Sequence, residues 1–158
     1  MTIDPEAKGD VAARYVAETH RLHVVLEEWL VGATPKTEAA FQPFAAALAP
    51  ELVVISPSGS QTAHADLLAE FFDIHGALAA DRDIFRIWVE NASAREVAPG
   101  LGLATYEEWH QRGAEVSARL TSVLMREDPR APGGVVWLHV HETWLPGRAP
   151  KAGERFPQ

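Results

Sequence analysis

No cysteine occurs in the 158 residues, so disulfides, thiolate metal sites and a cysteine nucleophile are all excluded. Long apolar runs are missing as well. No stretch approaches the ~18 residues of a membrane span, and the opening MTIDPEAKGD has no basic start followed by an apolar run, so neither a membrane protein nor a leader is expected. Positive charge is scarce: 14 Lys and Arg against 22 Asp and Glu give a formal charge of −8, which repels phosphate backbones and anionic membranes and sets nucleic acid aside as a partner. What remains, 47% hydrophobic and 23% charged, is the make-up of a globular protein. The length fits one domain over 1–158, with a core at about 10–146 between a flexible N-terminal segment and a Pro/Gly-rich tail, 147–158. A cytoplasmic protein without a cofactor is expected.

Periodicity divides the chain in two. Asp10 can cap a helix carried by Val11, Tyr15, Leu22, Leu26 and Trp29, and Gly32 suits its exit. Phe41, Phe44, Ala45 and Leu48 mark a shorter second helix, which requires Pro43 to sit in its first turn. "ELVVIS" reads as a strand over Leu52–Ser56, and Leu67, Phe71, Phe72 and Leu78 predict a third helix over Ala63–Leu78. From Arg82 the period changes to two in four segments separated by "APG", "RGAE" and "DPRAPGG", which predicts an antiparallel meander. Helices followed by strands mean α+β: three N-terminal helices laid on one face of a curved, mainly antiparallel sheet, with a pocket between the layers.

This order, with "LVVISPSG", "YEEW", "SARLTSV" and "WLHVHETW", resembles the NTF2-like superfamily of cone-shaped domains. Within it the chain is similar to the SnoaL-like and DUF4440 group, related to the association domain of calmodulin-dependent kinase II. The resemblance implies a homodimer or larger ring with a pocket in each cone. Its members include isomerases, cyclases, dehydratases, transport factors and oligomerisation modules, so the fold does not select a function. Carried over position by position, it also implies that Leu138, Val140, Glu142 and Trp144 form the pocket side of the last strand.

A hairpin closed at "RGAE" with Gln111 opposite Val116 sets Glu108 opposite Arg119 and Tyr106 opposite Thr121. With Glu142 on the other side of Arg119, one face shows Tyr106, Glu108, His110, Ser117, Arg119, Thr121, Val140, Glu142 and Trp144. The opposite face shows Trp109, Leu120, Trp137, His139 and His141 among others. Two carboxylates sharing one guanidinium leave a negative charge over, so either one of them is expected to hold a raised pKa or the pocket is expected to accept a donor or a cation. A small, partly apolar ligand is the expected partner, with Glu108 the candidate acid-base residue and Tyr106, Arg119, Thr121, Glu142 and Trp144 the candidate binding residues. Equally open is a charged ladder that only fixes strand register, in a non-catalytic oligomerisation or interaction module.

Other signals read more plainly. His139 and His141 share a side as a metal pair would, but a third recognised ligand is lacking, so no metal is expected and packing at a sheet-to-sheet dimer contact with Trp109, Trp137 and Leu120 is the reading. Five tryptophans at strand and helix spacing are expected in the core, with Trp29, Phe41, Phe44 and Phe71 closing the apolar end of the cone. "SPSGS" lacks a nucleophile-elbow frame and "GLG" lacks a dinucleotide frame, and both read as turns.

Overall fold

The computed structural model describes residues 5–151, with side chains from Asp10 onward. Helix α1 spans Pro5–Leu30, α2 Glu38–Ala45 and α3 His64–Asp73. The strands are β1 Leu48–Ile55, β2 Gln61–Ala63, β3 Phe85–Ala98, β4 Leu101–Arg112, β5 Glu115–Glu127 and β6 Val135–Trp144. They form one sheet in the order β2-β1-β6-β5-β4-β3. Every neighbouring pair is antiparallel except β1 with β6, which run parallel. The architecture is the expected α+β, helices against one face of a mainly antiparallel sheet. No helix among the described residues is long and apolar enough to cross a membrane.

Helix α1 begins at Pro5, ahead of the Asp10 cap that the sequence suggested; Pro is well placed in a first turn, where its missing N–H serves no helix bond. Its exit follows the Schellman pattern, with Ala33 N–H donating to Glu28 O at 2.8 Å, Gly32 N–H to Trp29 O at 3.2 Å, and Gly32 left-handed at φ 70°. The predicted third helix is cut short at Asp73. The segment behind it turns at Gly76 to bring its N–H groups to the end of α1, where Gly76 N–H donates to Trp29 O (3.0 Å) and Leu78 N–H to Leu30 O (2.9 Å). A long-range demand of α1 therefore ended α3. Pro43 lies in the second turn of α2, not the first. The helix ends two residues later, so only the Ala39 carbonyl loses a helix partner. Leu48, expected on that helix, opens β1, and the short β2 was not foreseen.

The core is continuous from Tyr15, Leu22 and Trp29 of α1, through Phe41 and Phe44, to Leu52, Val123, Met125 and Trp137 of the sheet. Rings tilted against one another close the apolar end, with centroids 4.9 Å apart for Trp29–Phe41, 5.4 Å for Phe41–Phe44 and 5.0 Å for Phe44–Phe71. A β-bulge decides the face of one large residue. Met125 pairs with Trp137 but Leu124 with His139, so Leu138 is the extra residue. The bulge turns Trp137 inward to 3% exposure and puts Leu138 outside with Val136, Ala49 and Ala131. This overturns simple alternation, which set Trp137 outside, and the family carry-over, which set Leu138 toward the pocket. The tail is also less free than expected as far as Arg148, since Ala118 N–H donates to Arg148 O (3.0 Å) and Leu145 N–H to Ala118 O (3.0 Å). Its remainder from 152, like residues 1–4, lies outside the described residues.

Tyr15, fully buried, packs its ring flat against the backbone of Gly102 on β4, and a Cβ there would fall inside the ring's van der Waals surface. Gly102→Ala is therefore expected to destabilise the fold by about 1–3 kcal/mol, read as a melting temperature lowered by roughly 3–10 °C. An unchanged melting curve would show that α1 can shift off β4 without cost.

Candidate functional site

The helices do not fill the concave side of the sheet. A cavity of about 120 Å³ remains between Leu22, Leu26 and Leu30 of α1, Phe44 of α2, and Leu67 and Phe71 of α3 on one side, and the middle of the sheet on the other. Tyr106, Glu108, Arg119 and Glu142 all line it, together with His23, His110, Trp137 and Val140. The β4–β5 register agrees with the expected one, Gln111↔Val116, Glu108↔Arg119 and Tyr106↔Thr121. On the other side it is offset by two residues from the expectation. Trp144 stands opposite Arg119, and Glu142 opposite Thr121. Because two residues preserve the face, Glu142 still reaches Arg119 diagonally. Thr121 is fully buried between Tyr106 and Glu142, and Trp144 lies under the Arg119 guanidinium at 5.0 Å; neither lines the cavity.

The charged row is divided into two groups rather than shared by one arginine. Arg119 Nη1 donates to Glu142 Oε2 at 2.8 Å, with both side chains about nine-tenths buried or more. Glu108 is held by two histidines: His23 Nε2 lies 2.9 Å from Oε2 and His110 Nε2 2.5 Å from Oε1. His23 was not anticipated. Its Nδ1 lies 2.6 Å from the Thr19 carbonyl, so both ring nitrogens face acceptors and both must carry hydrogen. His23 is accordingly an imidazolium. A signal existed in the sequence: His23 and Thr19 fall on the stripe of α1 that Tyr15, Leu22 and Leu26 bury.

These contacts set the protonation states. Burial alone would lower the His23 pKa, but the charge and hydrogen bond of Glu108 and the Thr19 carbonyl more than offset it and raise it. Burial would raise Glu108, yet the His23 charge, Arg119 and the two histidine hydrogen bonds hold it well below the usual carboxylate range. Burial lowers His110, so this ring is neutral. Glu142 is pushed up to about 7, first by burial and then by the negative charge of Glu108, with Arg119 offsetting only part. Tyr106 is held well above its ordinary value by burial and by both glutamates, so its hydroxyl keeps its proton. The site thus contains one fixed anion, one neutral imidazole and one carboxyl that exchanges a proton near neutrality.

Behind this row, Glu18 takes Arg21 at 2.7 Å through both oxygens and accepts from Trp137 Nε1 at 3.2 Å, fixing the turned-in indole. His139 and His141 lie exposed on the outer face. Trp88 and Trp109 stack there at 5.9 Å, with Arg148 over Trp109 at 5.0 Å. Only Trp29 and Trp137 belong to the core. Among the described residues no three His, Asp or Glu side chains are placed to hold a metal ion.

Comparison with known proteins gives a family and a fold. The family described as sucrose-6-phosphate phosphohydrolase C-terminal matches residues 17–146. Probable sucrose-phosphatase 2 of Arabidopsis thaliana is 27% identical over 127 residues, which are 80% of this chain and 29% of that protein. The chain thus spans less than a third of the length of that relative. An NTF2-like protein of unknown function from Pseudomonas aeruginosa superposes with a TM-score of 0.71 at 24% identity, over 84% of this chain and 98% of that one. The CaMKII hub homology domain of Chlamydomonas reinhardtii superposes with 0.62 at 15%, over 85% and 98%. The fold is therefore the NTF2-like cone.

A carboxyl whose folded pKa is raised to about 7 contributes stability that is fully present below its unfolded value and is lost as pH rises through about 7. Relative to Glu142→Gln, which cannot titrate, the wild type should lose on the order of 3 kcal/mol between pH ~4.5 and ~7.5. Denaturant unfolding of both proteins across that range checks this, and a pH-independent difference would mean that Glu142 titrates as an ordinary carboxyl.

Proposed function

The chain belongs to the sucrose-6-phosphate phosphohydrolase C-terminal family, and we propose that its cone is a binding site for a small, partly apolar molecule, with acid-base chemistry available at the polar end. The observation that carries this reading is the cavity itself: an apolar enclosure with the ionisable side chains of His23, Tyr106, Glu108, His110, Arg119 and Glu142 gathered at one end. A stability-driven core would fill such a space. In this reading Tyr106, with its proton retained, donates to a ligand oxygen, and Arg119 with Glu142 anchors the ligand's polar group. Thr121 and Trp144 support them from behind. Glu108 serves acid-base work by fixing the orientation of His110, while Glu142 is the group placed to give or take a proton.

A sugar-phosphate phosphatase reading, suggested by the names of the relatives, draws less support from the site. The cavity is of the scale that holds one six-membered ring, and His23 is already matched by the Glu108 carboxylate, as Arg119 is by Glu142 once that carboxyl ionises. The proposal therefore leaves phosphatase chemistry to the portion of those relatives that this chain does not span. A cytoplasmic location is part of the same reading, which the cysteine-free composition permits.

A second reading, homodimerisation, has its own observation. Leu120 and Val116 are 38% and 37% exposed on the outer face of the sheet, beside the half-buried Trp88, Trp109, Leu103 and Leu124. The two readings are compatible, since one uses the inner face and the other the outer.

Binding in the cone predicts that small uncharged rings such as phenol or cyclohexanone shift the backbone amide resonances around Leu22, Phe71 and Val140. Leu26→Trp, which fills the cavity, should abolish those shifts while remaining folded. Silence from both compounds at millimolar concentration would remove the binding reading. For the dimer, sedimentation should give twice the chain mass at micromolar concentration, and Leu120→Arg should shift it to the monomer by at least tenfold weaker association. A monomeric wild type would end that reading.

A further inference from the structure

The polar side of the cavity extends beyond these ionisable groups. Ser56, which follows β1, and Ser60 and Thr62 also line it. The Ser56 hydroxyl lies 2.8 Å from that of Ser58 and 2.6 Å from that of Ser60, so three hydroxyl hydrogens serve two contacts and one donor is left unspent. Continuing the parallel register Ile55↔His141 by one residue sets Ser56 beside Glu142. The two backbones are thus one strand spacing apart, about 4.8 Å, so a single ring lying against both strands can present separate hydroxyl groups to Ser56 and Glu142. The opposite wall, from Leu26 to Phe71, offers only apolar contact.

Charge narrows the choice further. Above about pH 7, where Glu142 is ionised, His23 and Arg119 balance Glu108 and Glu142 in contact, so a charged ligand would then enter a desolvated site with no counter-charge waiting for it. Hydroxyl groups need none. We propose that the cavity is built for an uncharged single-ring compound with hydroxyl groups along one edge, a cyclic polyol or monosaccharide, its C–H face against Leu26 and Phe71 and its hydroxyls against Ser56 and Glu142. This rests on the binding reading above and specifies its ligand class.

Calorimetric titration of the full chain at pH about 8.5, where Glu142 is ionised, with cyclohexanol, cis-cyclohexane-1,3-diol, D-glucose, cyclohexanecarboxylate and cyclohexyl phosphate separates the cases. The diol should bind about fivefold or more tighter than cyclohexanol, the gain of one added hydrogen bond. That gap should vanish in Ser56→Ala, and D-glucose should bind while the two anions do not. Equal binding of diol and cyclohexanol, a gap that persists in Ser56→Ala, failure of D-glucose to bind, or tighter binding of either anion would overturn the polyol assignment while leaving a small-molecule cavity in place. No binding by any of the five compounds would end both.

Discussion

Glu108 is a carboxylate set on the middle of a sheet and covered by helices, and an isolated charge in that place would cost several kcal/mol. Much of the site's arrangement follows from meeting that demand. One histidine comes from its own strand two residues on, His110, and the other from α1, His23. The second contact ties helix to sheet, because His23 can serve Glu108 only if α1 turns that stripe inward, which also buries Tyr15, Leu22 and Trp29. Apolar packing and the ionic contact therefore ask for the same helix rotation.

The same fixed anion governs its neighbours. Its charge favours the proton on His23 and disfavours ionisation of Glu142 and Tyr106. Two carboxylates of similar chemistry thus take different roles, one permanently ionised and hydrogen-bonded at both oxygens, the other titrating near neutrality beside an arginine. Such a division is a recurrent way of placing acid and base in one pocket. Here it arises because histidines reach one glutamate and only an arginine reaches the other.

The sheet is shaped to leave room above this floor. The bulge at Leu138 rotates Trp137 into the cone, where Glu18 holds its indole N–H, and the segment after α3 is drawn to the end of α1 instead of extending across the opening. A cone with an apolar lid and a polar floor results, and its outer face keeps enough exposed apolar surface to be of use in association.

Periodicity in the sequence carried the order of elements, the four-strand meander and the β4–β5 register, because alternation over twelve-residue strands and a tight "RGAE" turn leave few other pairings. It therefore placed Tyr106, Glu108, Arg119 and Glu142 on one face, and their excess negative charge called for either one raised carboxyl or a donor or cation in the pocket. It missed what depends on distant contacts. The short third helix follows from carbonyls of α1 that lie far back in the chain, the inward Trp137 from one bulged residue, and the covering of Thr121 and Trp144 from the Tyr106, Glu142 and Arg119 side chains beside them. Above all, the partners of Glu108 were hidden, since no local pattern shows that a histidine eighty-five residues earlier on a helix will face it. Local sequence determined which side chains share a face, for that is a property of backbone geometry; only the tertiary structure decided which of them meet, because that depends on how separate elements pack.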